Sequence, residues 1–450
     1  TEVASHGGYV YKYSADLAKR EGEGKTGPDT VWVQPPGTPT VGLAFLQAYE
    51  RTGEPELLEA AKAAGECLVR GQLRSGGWND RVEFAPAERA RFAYRDDAVG
   101  DGKGAGGKKR PFNVSTFDDD KTQAAVRFLV RLDAALKFKD ARVHTSVTTA
   151  LDAICRAQMP SGGWAQGWDA FPDPAEFPAV PASFPETWSR TYQGHQNYWF
   201  LATTNDNTIA DTVEALLLAA ATYDEPRYRK AAAKAGDFIV LAQLPDPQPA
   251  WAQQYDRQMR PAWARKFEPP AITGHESQGL MLTLVRLYVE TGDRKYLAPV
   301  PRALAYLRKS ALPDGRLARF YELRTNKPLY MTTAYALTYD DTDLPTHYGF
   351  KVANKLDEVA ERYERVEKMT PAELAAERNR LTDAALHGKR GRPTEAEVRK
   401  LIADLDDRGA WVEAGTLKYH GKGDPTTRII DSATFAKNLD ALARYAGAKD

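Results

Sequence analysis

Cysteine and methionine are scarce in this 450-residue chain, at two and five residues. Two cysteines cannot build a thiolate metal cluster or a disulfide-dense scaffold. Cys67 and Cys155 sit in the apolar helical runs GECLVRG and LDAICRAQM and read as small core residues, with a bridge between them left open. An excess of either charge is also missing. The 61 basic side chains balance the 61 acidic ones, and the basic surplus of a nucleic-acid binder is absent. No apolar run approaches the ~20 residues a membrane-spanning helix needs. The seven histidines are scattered, and lone ones such as His195 and His275 read as structural hydrogen-bonders. There is no phosphate-binding Walker sequence, no dinucleotide fingerprint, no His-Glu-x-x-His and no nucleophile elbow. The chain opens on Thr1 with no leader pattern, as a processed protein would, so its compartment has to be inferred from its function.

A repeat is present. Gln72-Leu73-Arg74-Ser75-Gly76-Gly77-Trp78 returns 86 residues on as Gln158-Met159-Pro160-Ser161-Gly162-Gly163-Trp164, and a looser copy runs from Gln243 to Trp251. Before, between and after the copies lie runs with apolar residues at helical spacing: 41–50, 124–138, 211–223 and 280–290. Each meets a short turn and is followed by a second helical run near 56–71, 141–157, 227–242 and 295–309. The unit is an antiparallel helical hairpin whose first helix is the more apolar and suits an inner position. The expected fold is all-α, an α/α toroid of repeated hairpins over residues 1–354. A helical C-terminal extension over 355–450 is expected to pack on it. The basic run His387-Gly388-Lys389-Arg390 reads as a solvated turn.

Three constellations carry possible chemistry. Thr116-Phe117-Asp118-Asp119-Asp120-Lys121-Thr122 precedes one helix, and Thr203-Thr204-Asn205-Asp206-Asn207-Thr208 precedes its repeat equivalent. One Asp at such a place is an ordinary helix cap. Three consecutive carboxylates repel one another and suggest a hard cation with oxygen ligands. The second constellation is the loop from Trp251 through Tyr255, Arg257, Arg260, Trp263, Arg265 and Glu268 to His275-Glu276-Ser277. Guanidinium groups beside aromatic rings suit a carboxylated sugar, although arginine lying over tryptophan at a surface gives the same pattern. The third, Arg319-Phe320-Tyr321-Glu322, also fits an arginine that pairs with Glu322 or another acid. The Trp of each Gly-Gly-Trp copy fits either a sugar platform or a plug between hairpins.

Together these residues resemble the pectate lyases of polysaccharide lyase family ten. The carriers are Thr116–Thr122, Gly162-Gly163-Trp164-Ala165-Gln166, Asn205-Asp206-Asn207, the long stretch Ala250–Ser277, and Arg319-Phe320-Tyr321-Glu322 with Thr325-Asn326-Lys327-Pro328. The resemblance implies Arg265 as catalytic base and Arg319 as a grip on substrate; Arg260, Trp164 and Trp263 are further candidates for substrate contact by residue type. It implies Asp118, Asp119 and Asp206 as ligands of Ca²⁺. The expected reaction is β-elimination on pectate or a related polyuronide, by a secreted or periplasmic monomer that binds no nucleic acid. The chain departs from the family pattern at Thr333, where an arginine is usual, and in reading Asp-Asp-Asp-Lys-Thr and Asn-Asp-Asn in the two acidic motifs. Residues 170–190 look inserted. Competing expectations are a glycan-binding toroid without catalysis, a glycoside hydrolase using Asp119 and Asp206 as acid and base, and a terpenoid cyclase, against which the polar, arginine-bearing loops argue.

Overall fold

The four expected hairpins all form. In the computed structural model they pair Thr38–Thr52 with Pro55–Arg70, Lys121–Ala135 with Ala141–Ala157, Thr208–Tyr223 with Pro226–Ala242, and Glu276–Thr291 with Pro299–Lys309. The structure describes residues 3–98, 110–194, 197–388 and 391–447. His195, Lys389 and Arg390 lie outside them. The turn signals have local causes. Gly53 and Gly292 adopt φ of 77° and 72°, and their amides close on Tyr49 and Tyr288; this left-handed cap stops a helix at low cost to glycine. Pro55, Pro226 and Pro299 then open the second helices, where a missing amide hydrogen costs nothing. The first helices are the buried ones: Phe128, Leu129 and Leu132 are inaccessible to solvent, as are Met281, Leu284 and Leu287.

The chain divides into two compact units, residues 1–154 with 383–450, and residues 155–382. This division does not coincide with the expected boundary at 354/355. In the first unit Ser432–Ala446 packs on Thr38–Thr52, with Arg51 and Asp440 paired at 2.5 Å. The strand Arg428–Asp431 pairs with Lys12–Ser14, Lys12 opposite Asp431. The C-terminal segment thus completes the N-terminal unit. In the second unit Leu356–Glu367 packs on Glu276–Thr291 and Pro299–Lys309.

The fold is helix-rich but not purely α. Strands of two to four residues form two four-stranded antiparallel sheets. One, in the first unit, joins Lys12–Ser14, Arg20–Glu21, Glu413–Ala414 and Arg428–Asp431. The other, in the second unit, joins Ala271–Thr273, Phe320–Glu322, Pro328–Met331 and Leu337–Thr338. Strands this short are below the length at which alternation of apolar and polar residues shows in sequence. Cys67 and Cys155 are not bridged by a disulfide, and burial pushes the Cys67 thiol up to about 12.

Candidate functional site

The repeat works as a set of braces. Gln72 donates its amide to Gly76 O (2.7 Å) in its own turn and to Ser146 O (2.9 Å) in the next hairpin. Gln158 does the same to Gly162 O and Ala231 O, both at 2.9 Å. Gln243 reaches Pro249 O (3.0 Å) and Pro299 O (2.9 Å). Gly76 and Gly162 turn the chain with φ of 102° and 100°. A Cβ on Gly162 would sit 2.1 Å from Lys234 O, so only glycine fits there.

The tryptophans that follow are plugs. Trp78, Trp164 and Trp251 are all inaccessible to solvent. Trp78 and Trp251 donate their indole N–H to Leu68 O (2.8 Å) and Ile239 O (2.7 Å). This corrects the assignment of Trp164 to substrate, since a fully buried ring has no face to offer a sugar.

Each tryptophan carbonyl then accepts a threonine amide: Thr116 from Trp78 (2.9 Å), Thr203 from Trp164 (3.0 Å) and Thr273 from Trp251 (2.8 Å). Each threonine hydroxyl accepts the amide two residues on, from Asp118, Asn205 and His275. The repeat therefore places three motifs ahead of the first helices of three hairpins. The first two share an unusual backbone. Asp119 has φ, ψ of 48°, 40° and Asp206 has 47°, 40°; the next residues, Asp120 and Asn207, are also left-handed, at φ 62° and 55°. Such conformations cost about 1–3 kcal/mol for residues other than glycine and tend to gather at functional sites. Asp and Asn bear them best. Glu276 takes the equivalent place in the third motif without left-handed backbone, a relation the sequence repeat did not disclose because the third copy is loose.

In the first unit the acidic motif is supplied with cations by the chain itself. Lys121 Nζ lies 2.7 Å from Asp118 Oδ2 and 3.9 Å from Asp119 Oδ2. Gln34 donates to Asp119 at 3.2 Å, and Arg127 pairs with Asp120. Burial raises the pKa of Asp120 by more than Arg127 lowers it. Asp118 and Asp119 in the first unit, and Asp206 in the second, each carry carboxylate oxygens, the donor type that hard cations prefer.

The second unit gathers the arginines. Arg265 gives Glu268 a bidentate grip, Nε to Oε2 at 2.7 Å and Nη2 to Oε1 at 2.5 Å, with its backbone amide adding a third bond at 3.1 Å. Glu268 is only 2% exposed. Burial works to lower the Arg265 pKa, but the hydrogen bonds and charge of Glu268 outweigh it, helped by Asp206, and the net direction is upward. Arg319 donates to Glu276 (3.2 Å) and to Gly349 O (2.7 Å). Its carboxylate is thus Glu276; Glu322 is taken by Arg190 and Tyr339.

Between the two pairs stands Tyr348. Its hydroxyl donates to Glu268 Oε1 (3.0 Å) and accepts from Arg319 (3.3 Å) and Gln253 (3.2 Å). Its ring lies 4.5 Å from the Arg319 guanidinium and 5.8 Å from that of Arg265. Gln253 also bonds Asn205, tying this cluster to the second acidic motif. Tyr348 carried no sequence signal; Glu268 carried one, the Arg-x-x-Glu spacing, without an assigned role.

Arg260 is held within its own turn by Asp256 (2.9 Å) and Gln258 (2.9 Å). Trp263 is half-buried; its indole donates to Ser189 O at 2.9 Å and its ring packs on Tyr192 at 5.5 Å. The inserted segment therefore lies on Trp263 and, through Arg190, on Glu322. Thr333 caps Asp343, Oγ1 to Oδ1 at 2.8 Å.

Among known proteins, a family 10 polysaccharide lyase from Cellvibrio cellulosa is similar at 19% identity, over 73% of this chain and 98% of that one, with a TM-score of 0.48. A mutant of a family 10 polysaccharide lyase from that organism, in complex with trigalacturonic acid, gives 18% with the same coverage and TM-score. A cellobiose 2-epimerase from Spirochaeta thermophila gives 15% over 98% and 90%, with a TM-score of 0.45. These likenesses are too distant to assign a function. No curated protein matches the chain. Residues 92–291, which hold both acidic motifs and the Arg265–Glu268 pair, match the pectic acid lyase family, and over that segment the resemblance carried by the motifs holds.

Proposed function

We propose that this chain is a polysaccharide lyase that cleaves pectate or a related polyuronide by β-elimination, outside the cytoplasm. The observation that carries the reading is the cluster of Arg265 and Arg319, each fixed by a buried carboxylate and joined through Tyr348, in a chain whose central segment matches the pectic acid lyases. The α/α toroid expected from the hairpin repeat belongs to the same proposal.

In such a reaction a base removes the proton at C5, next to the sugar carboxylate. The C–H electron pair forms the C4–C5 double bond, and the C4–O bond breaks. The leaving oxygen takes a proton from water. Negative charge builds on the carboxylate side of C5, where fixed guanidinium groups stabilise it. Arg319 and Arg265 supply those groups. Arg260 and Trp263 would extend the contact along the chain of sugars.

Arg265 cannot act as the base while Glu268 holds it, because that pairing favours the charged form. The geometry supports Arg265 as the positive charge beside the reacting carbon, with hydroxide from solvent as the base. Asp118 and Asp119 of the first unit, and Asp206 of the second, are each of the donor type that Ca²⁺ takes, and a bound ion would neutralise sugar carboxylate. They suit it less well by charge, since Lys121 already answers Asp118. The test is release of 4,5-unsaturated product from polygalacturonate. Binding of the polymer without product would favour the non-catalytic glycan binder.

A further inference from the structure

We infer that Lys121 is a built-in cation that takes the place of a divalent ion at Asp118 and Asp119, an inference that deepens the reading of this chain as a uronide lyase. Three consecutive carboxylates need positive charge close by. Among the described contacts, the chain supplies it with Lys121 at 2.7 Å from Asp118 and 3.9 Å from Asp119, and with Arg127 on Asp120. The lysine side chain is 7% exposed, so its ammonium is held at the motif and not in solvent.

The position is an unfavourable one for a lysine. Lys121 is the first residue of the helix Lys121–Ala135, where the backbone dipole favours negative charge and repels a cation. The chain contains its own control. In the second motif, with the same backbone at Asp119/Asp206 and the same left-handed residue after it, the corresponding first helical residue is Thr208. A neutral residue is sufficient to start a helix from this turn. Lysine is therefore not demanded by the fold, and its contacts are with carboxylates that a cation would otherwise bind. A monovalent ammonium fixed by a covalent stem is always present, whereas an ion must be captured from solution. Ca²⁺ must displace Lys121 to reach Asp118.

Calorimetric titration of Ca²⁺ alone into the full chain tests this independently of activity. K121A, and K121M as a variant that keeps the apolar stem, should bind Ca²⁺ at least about tenfold more tightly than wild type, since a unit charge within 4 Å of the ligands has been removed. Adding D118N to K121A should remove the gain. In parallel, chelator should leave most of the wild-type lyase activity and abolish that of K121A. Equal Ca²⁺ affinity in wild type, K121A and K121M would overturn the inference. So would a gain that survives D118N. A wild type with no lyase activity on any uronide would sink the functional reading, while the titration would still decide the role of Lys121.

Discussion

Replacing Glu268 with glutamine removes one charge and no volume. In the folded chain its carboxylate is 2% exposed and receives three hydrogen bonds from Arg265, one from Gln253 and one from the Tyr348 hydroxyl. An amide in its place offers one acceptor oxygen, and its NH₂ faces donors. Removing one partner of a buried ion pair costs about 3–5 kcal/mol. The Arg265 side chain is 36% exposed, so water recovers part of this, and we expect about 2 kcal/mol from urea unfolding at pH 7.

The same variant separates two roles for Arg265. Without Glu268, burial is left to act on the guanidinium, and its pKa falls. Were Arg265 the base, its neutral fraction would grow and the rate at alkaline pH would rise. As a fixed positive charge it loses its alignment, and the rate falls at every pH. We expect the fall, by about 10²-fold, the scale of removing one charge-stabilising group. An E268Q enzyme within 0.5 kcal/mol of wild type, with an unchanged or faster alkaline rate, would refute this reasoning.

Three further outcomes follow from the geometry. Q72A strips two carbonyls and the Ser146 hydroxyl of a fully buried partner and should cost about 2–4 kcal/mol in denaturant unfolding. W164A should cost about 3–5 kcal/mol; a stable W164A protein with selectively weakened polyuronide binding would restore the sugar-platform reading. Glu377 is held down to about 2, by its hydrogen bond from Arg380 first and then by Arg365. Its folded pKa is depressed, so its contribution is complete above the unfolded value near ~4.3 and is lost as pH falls through about 2. Both arginines are more than half exposed, and after solvent screening we expect E377Q to lose about 1 kcal/mol at pH 7 and nothing well below pH 2.

The hairpins were legible in sequence because helical spacing, Gly caps and Pro starts are local signals; all four pairs formed near their expected bounds. The domain boundary was not, because pairing of Lys12–Ser14 with Arg428–Asp431 joins segments some 400 residues apart, and a composition change at 355 says nothing of that. The Gln-x-x-x-Gly-Gly-Trp repeat was visible, but its meaning was half misread. Gln72, Gln158 and Gln243 brace neighbouring hairpins and bury the tryptophan, so repetition reported architecture where Trp164 had been assigned to substrate. Arg265 and Arg319 were singled out as candidates, their roles coming from the family resemblance. Their carboxylates, Glu268 and Glu276, depend on side-chain direction, and Tyr348 reaches them from the loop that follows the second sheet. The carboxylates of Asp118–Asp120 were read as ligands of a hard cation; in the structure Lys121 pairs with Asp118 and Arg127 with Asp120.

The most direct test is the ultraviolet absorbance of polygalacturonate incubated with the purified chain at alkaline pH, beside R265A and R319A. The account predicts a steady rise from 4,5-unsaturated ends that is lost in R265A and reduced at least tenfold in R319A, in line with removal of a charge-stabilising group. No rise on polygalacturonate or any other polyuronide, or an undiminished rise in R265A, would contradict it.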